Sequence, residues 1–422
     1  MSKARISAGS VLQLPSLVRR AVRNEWYHAT SRAPLRPDVV LYEAFGGQGV
    51  LCHPEAIFRE LLAAEDLQHL HHIWVLKEGI DRHGALGDLV DHPRVSTVTR
   101  GGYAYVRALA TAGFLVNNAT FPPSFAKREG QVYLNTWHGT PMKKMGRDEP
   151  GQIVATRNVL RNFLMCDYVV SSSPYMTSTM YESAYQLLNV YPGLVIEEGN
   201  PRTDRQILDA QGRAEVRRRL SGAGVDIGTP DDRLVVYAPT WRGASFARAV
   251  DDALELVTRV NALRERLGPG YRVVLKVHQQ VYDLARSHGE VAGMLVPNHI
   301  PSNLVLGVTD VLVTDFSSIA FDALATEVPI VLFAPDLAGY ISLRGLYLAE
   351  SELPGPLVTT LDEAADLVAS VGSGAPIPER SSPSMCRIWS SSRSSKSASA
   401  GSGTIVVRLA VGAGDHPWFR SS

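Results

Sequence analysis

The sequence predicts an α/β protein built as two consecutive halves. Short apolar, strand-like runs recur along the chain, each followed by a loop and a helix-like stretch, the pattern of a mostly parallel sheet with helices on both faces. The chain is 422 residues long, beyond the usual size of one domain. Residues 222–232, rich in Gly, Asp and Pro, interrupt the alternation and place a boundary within 199–232. The expected divisions are 1–35, 36–205, 206–375 and 376–422.

Composition narrows the class of partner. Apolar residues make up 45% and charged residues 20%, as in an ordinary globular protein. Lys+Arg and Asp+Glu both number 42, so net charge gives no reason to expect a nucleic-acid partner. Three widely spaced cysteines, Cys52, Cys166 and Cys386, form neither a disulfide framework nor a zinc pattern and suit a reducing cytoplasm. No apolar run approaches the roughly 20 residues of a membrane span. Residues 1–35 read as an amphipathic helix, with Val11, Leu14, Leu17, Val18 and Val22 at helical spacing and Arg19, Arg20 and Arg23 between them. Such a helix either lies in a membrane interface or packs on its own domain.

In the first half, strands are expected at 39–42, 73–76, 95–98, 114–116, 132–134, 168–170 and 194–197. Helices are expected at 55–65, 103–112 and 152–164. The loop Gly46-Gly47-Gln48-Gly49 matches neither phosphate-loop fingerprint. His69, His71 and His72 read as an exposed polar cap rather than a metal site. After a basic helix at 213–220, the second half offers strands at 234–237, 272–277 and 311–314 and a last one at 329–333, with a helix at 253–267. Residues 381–402 are rich in serine and basic residues without periodicity, and read as disordered or as a shifted reading frame over a terminal helix.

The segment VYLNTWHGTPMKKMGRD, residues 132–148, carries the chemistry. Its strand breaks at His138-Gly139-Thr140-Pro141, is followed by Lys143-Lys144 and closes at Asp148, which puts these side chains at the carboxyl edge of a sheet, where α/β folds bind ligands. His138 is there either a general base or a hydrogen-bonded core histidine, and the lysines either hold an anion or are solvated. Arg202, after a turn proline, is either an anion ligand or a solvated loop residue. Three strands of the second half end in Thr240-Trp241-Arg242, in His278 and in Asp315-Phe316-Ser317-Ser318. A parallel sheet gathers those ends on one polar, phosphate-ready rim.

These motifs resemble, in order, those of the CDP-glycerol glycerophosphotransferases, the polyol-phosphate primases and polymerases of teichoic acid synthesis. The resemblance runs through NTWHGTPMKKMGRD, GNPRTD, APTWR, LKVH and TDFSS and covers residues 38–347. It implies a GT-B-like architecture, two Rossmann-like domains with parallel sheets facing each other across a cleft. Residues 36–205 would form the acceptor side and 206–375 the CDP-binding side. His138 would be the catalytic base and His278 a second essential histidine on the donor phosphates. Arg242, Thr240, Asp315, Ser317, Ser318 and Arg202 would bind donor or phosphate, and Lys143, Lys144 and Asp148 the acceptor. The sequence departs from the family at Gln279-Gln280, where proline is common, and at Leu51-Cys52-His53-Pro54, where Ser-Asp-x-Pro is common; no helix pattern is readable after about residue 372.

The function so implied is transfer of glycerol phosphate, or a related polyol phosphate, from a CDP-activated polyol to a hydroxyl of a lipid-linked, phosphate-containing acceptor, with release of CMP. The expected location is cytoplasmic, peripheral on the inner face of the membrane. No metal site and no resident cofactor are expected, CDP-glycerol being a substrate. The alternatives are a GT-B glycosyltransferase using a nucleotide sugar, which would share the cleft, and an inactive paralogue.

Overall fold

The structure is a computed structural model that describes residue 18 and residues 21–149, 156–240, 246–277, 282–287 and 291–372. Two all-parallel sheets organise the described chain. The first has seven strands in the order β3-β2-β1-β4-β5-β6-β7: β1 Arg36–Glu43, β2 His71–Leu76, β3 Val95–Thr99, β4 Ala112–Asn117, β5 Val132–Asn135, β6 Tyr168–Val170 and β7 Leu194–Ile196. The second has five, β12-β11-β10-β8-β9: β8 Arg233–Ala238, β9 Tyr271–Leu275, β10 Val311–Thr314, β11 Ile330–Phe333 and β12 Leu357–Val358. Both are doubly wound, with the strand order reversing between β1 and β4 in one and between β8 and β10 in the other.

Burial follows the strand period. Val39 and Leu41 of β1 join one apolar cluster and Val40 and Tyr42 the opposite one. Leu234 and Val236 of β8 likewise face away from Val235 and Tyr237. Each sheet is therefore covered on both faces, which is why its strands read as near-continuous apolar runs instead of alternating ones. Met142, just past the β5 loop, packs into a core cluster of the second half. The two halves interlock there.

Two expectations need correction. Residues 329–333 do not hold the last strand, since β12 pairs with β11 through Leu332 and Phe333; two residues are too few to show a period. His72 is no exposed cap. It is a buried residue of β2 whose Nδ1 lies 3.0 Å from the Tyr42 hydroxyl, and burial drives its pKa down to about 3. The glycine loop after β1 serves chain geometry: Gly47 has φ +86°, and a Cβ there would sit 2.9 Å from the Lys77 nitrogen. The helix expected at 152–164 is found as Arg157–Met165, residues 150–155 lying outside the described chain.

Of the N-terminal helix, the described part includes residues 21–30. Tyr27 is buried against Phe125, and Trp26 meets the Tyr103 ring edge-on, while Val18 and Val22 stay exposed. No described helix is long and apolar enough to cross a membrane. The tail at 376–422 lies outside the described residues.

Candidate active site

The two halves meet around a cavity of about 260 Å³. It lies at the carboxyl ends of β5, β8, β9 and β10, with His138, Lys143 and Arg202 lining it from the first half and Thr240, Lys276, Ser317 and Ser318 from the second.

His138 is delivered by a kink. Asn135 ends β5, and its Oδ1 accepts from the Trp137 backbone N–H at 2.8 Å. Trp137 then takes φ +48°, a left-handed conformation uncommon for a bulky side chain and held here by its burial. The indole stacks on the His138 imidazole at 4.5 Å between centroids, and Phe45 meets the same ring edge-on at 5.4 Å. His138 Nδ1 lies 2.6 Å from the Asn118 carbonyl oxygen. A carbonyl can only accept, so Nδ1 carries the proton and Nε2 of the neutral ring carries the lone pair. Asn118 is itself fixed at the strand-order switch, where its Oδ1 accepts from the Phe45 N–H at 2.7 Å. The tautomer of the His138 ring is thus set by the sheet's own crossover.

The second half presents small polar groups. Asp315 is buried at the end of β10, and its Oδ1 accepts from the Thr240 N–H at 2.8 Å and hydroxyl at 2.5 Å. Thr240 and Asp315 thereby tie together the two strand ends that flank this sheet's switch point, the place where doubly wound sheets bind nucleotides. Ser317 and Ser318 follow at the cavity wall. A Cβ built on Gly139 would lie 2.3 Å from Ser318 Oγ, so the His138 loop and the Ser318 loop touch in a contact only glycine permits.

The remaining expected residues divide. Lys143 is half-buried at the cavity; burial, then Arg344, hold its ammonium below the ordinary lysine range, with Asp315 opposing them. Lys144 is exposed and covers Gly345. Asp148 bonds the Tyr347 hydroxyl at 2.8 Å, part of a seam that includes Tyr347 N–H to the Met142 carbonyl and Lys144 N–H to the Gly345 carbonyl. Neither Lys144 nor Asp148 lines the cavity. Arg202 does, but it is 7% exposed and held by protein acceptors. Arg242 and His278 lie outside the described residues.

Sequence reasoning passed over Lys276. It is buried at the cavity, its Nζ donates to the carbonyls of Pro297 (3.0 Å) and Ile300 (3.2 Å), and burial lowers its pKa to about 7. One lysine inside the apolar run RVVLKV was the available signal. Asn303, a further polar residue of the cavity wall, was also missed, and Asp322, though part of the family-like pattern through Phe321-Asp322, was given no role.

The family model for CDP-glycerol:poly(glycerophosphate) glycerophosphotransferases matches residues 25–395. The chain belongs to that family. A family member is a transferase whose donor is CDP-glycerol. Among relatives, the teichoic acid poly(glycerol phosphate) polymerase of Bacillus spizizenii is 30% identical over 352 residues, covering 79% of this chain and 84% of the relative. The teichoic acid glycerol-phosphate transferase of Staphylococcus aureus is 28% identical over 344 residues, with the same coverage of 79% and 84%. The chain spans 45% of the longer Bacillus subtilis polymerase, at 29% identity and 81% of its own length. A solved structure of the wall teichoic acid polymerase TagF superposes with a TM-score of 0.72 at 23% identity, covering 95% of each chain. The glycerophosphotransferase fold, two Rossmann-like halves facing across a cleft, is therefore shared with it.

Proposed function

We propose that the chain transfers glycerol phosphate from CDP-glycerol to a hydroxyl of a lipid-linked, phosphate-containing acceptor, in the synthesis of teichoic acid or a related surface polymer. The observation that carries this reading is His138: its Nδ1 donates to the Asn118 carbonyl, which in the neutral tautomer puts the lone pair on Nε2, and its loop touches the Ser318 loop. An alcohol is a poor nucleophile near neutral pH, and an imidazole with a pKa of roughly 6.5 suits the removal of its proton.

In this reading Nε2 takes the acceptor's hydroxyl proton as the oxygen attacks the phosphorus that bears glycerol. The new P–O bond forms while the bond to the bridging oxygen breaks, and CMP leaves with that electron pair. The charge gathering on CMP is met by Ser317, Ser318 and Lys276 from the described wall, beside Thr240, whose own donors go to Asp315. Arg242 and His278 take the donor phosphates in the same reading, on sequence grounds alone. Asp315 supports the donor side by orienting Thr240. Lys143 attracts the acceptor's phosphate at the cavity, with Lys144 farther out and Asp148 fixing the loop that carries both. The exposed Val18 and Val22, with Trp26 beside them, suit a peripheral position on the inner membrane face, where the acceptor lipid would be met.

The test is nucleotide release with a lipid-linked glycerol-phosphate acceptor and, separately, CDP-glycerol, CDP-ribitol and a nucleotide sugar as donors. Acceptor-dependent CMP from a CDP-polyol supports the reading. Turnover of the nucleotide sugar alone, or of none by folded protein, contradicts it.

A further inference from the structure

One buried guanidinium joins the two halves beneath the cavity. Arg202 belongs to the first half, in the short helix Pro201–Asp204, and Asp322 to the helix Ile319–Ala323 that follows Ser318. Arg202 Nη2 lies 2.8 Å from one Asp322 carboxylate oxygen and 2.9 Å from the other, and Nε lies 3.3 Å from the latter. Nη1 donates to the His138 carbonyl at 2.8 Å and to Cys52 Sγ at 3.0 Å. The backbone is held as well: the Arg202 carbonyl accepts from Asn303 Nδ2 at 2.9 Å, and the Asp322 carbonyl from Gln206 Nε2 at 2.8 Å. Arg202 is 7% and Asp322 6% exposed.

All three guanidinium nitrogens therefore donate to protein acceptors, which is not how an arginine waits for a substrate phosphate. Its planar fork grips the Asp322 carboxylate on one side and the His138 main chain on the other. With the Asn118 bond to the ring, His138 is fixed both at its imidazole and at its peptide. Through Asp322 the same cation fixes the helix that carries Ser317 and Ser318 at its start. Burial pushes the Asp322 carboxyl up, and only the adjacent guanidinium favours its ionised form, so each partner needs the other.

We propose that Arg202 and Asp322 are a positioning pair that sets His138 in register with the donor loop, and that Arg202 is not a ligand of the donor's phosphates. The proposal rests on the reading of His138 as base and Ser317–Ser318 as donor side. A misplacement of about 1 Å between reacting groups costs roughly 100-fold in rate, while donor affinity, set by other residues, is spared.

The experiment compares wild type with Arg202→Lys, with Arg202→Met and Asp322→Leu singly, and with the double variant Arg202→Met/Asp322→Leu. The double variant leaves no unpaired buried charge and guards against a single variant that fails to fold. Two quantities are read on protein of verified thermal melting: kcat for CMP release, and the Kd for CDP by calorimetry, which needs no turnover. Positioning gives a kcat about 100-fold lower in each variant, a double-variant loss no larger than the greater single loss, and a Kd within about threefold of wild type. A Kd raised tenfold or more in Arg202→Lys with kcat kept would make Arg202 an anion ligand and overturn the proposal. Losses that multiply in the double variant would also overturn it. Wild-type protein that binds CDP yet releases no CMP contradicts the proposed function instead, and is recognised without any variant.

Discussion

The two edges of the cleft are built by opposite means. On the first half, the β5 edge is a stack of rings on a strained backbone: Trp137 at φ +48°, His138 stacked on it and Phe45 edge-on to the His138 ring. On the second half, the β8 and β10 edge is made of hydroxyls and a buried carboxylate, Thr240 on Asp315 with Ser317 and Ser318 beyond. The difference fits the chemistry. A base must hold one tautomer and one orientation, which packing and a carbonyl bond supply. A donor phosphate needs several small hydrogen-bond donors that can approach closely.

The contact between the edges is the most sensitive point of that contrast. Gly139→Ala puts a methyl 2.3 Å from Ser318 Oγ. The loops must separate, and we expect activity to fall about 10- to 100-fold with a stability loss of about 1–3 kcal/mol. Kinetics and chemical denaturation on one preparation check it; an unchanged kcat would mean that the edges need not touch.

On the second-half edge, which the proposed function makes the donor side, Asp315→Asn removes the charge from the bonds to Thr240. We expect about 1–3 kcal/mol of destabilisation and a weaker donor KM, with the acceptor KM little changed. A change confined to the acceptor would contradict the division of the cleft into two sides.

Lys276 belongs to the second-half edge but is anchored between two carbonyls, and its effect is on stability against pH. Its folded pKa is about 7 against an ordinary value of 10.5. Between those values the unfolded chain holds a proton that the folded chain lacks, so stability rises as pH climbs through that window, by up to about 1.4 kcal/mol per unit. Below pH 7 the full cost of charging the buried amine is present. The difference in denaturation midpoint between wild type and Lys276→Met should therefore change between pH 6 and 10; a pH-independent difference would show the amine to be ordinary.

The smallest effect separates the two lysines of the base edge. Lys143→Ala is expected to raise the acceptor KM several-fold and Lys144→Ala less than twofold, because Lys143 lines the cavity and Lys144 is exposed. Equal effects would mean that the acceptor's phosphate lies outside the cavity.

Much of this was legible in the chain itself. Strands buried on both faces read as continuous apolar runs, so β1, β8 and β10 could be placed from composition, and their polar ends followed. Strand order could not be read, because period reports burial and not neighbours; the switch points that explain Asn118 and Thr240 appeared only with the sheets. Arg202 read as an anion ligand or a solvated loop residue, since the partner that buries it, Asp322, is 120 positions away. His72 escaped for a similar reason. Its hydrogen-bond partner Tyr42 is on a neighbouring strand, so a buried, neutral histidine resembled a surface cluster with His69 and His71.

The most direct measurement is acceptor-dependent CMP release from CDP-glycerol by wild type and His138→Ala, with CDP affinity measured alongside. The account expects release to fall about 100- to 10,000-fold in the variant while CDP affinity is unchanged. Release that survives undiminished would remove His138 from the proton transfer and contradict the account at its centre.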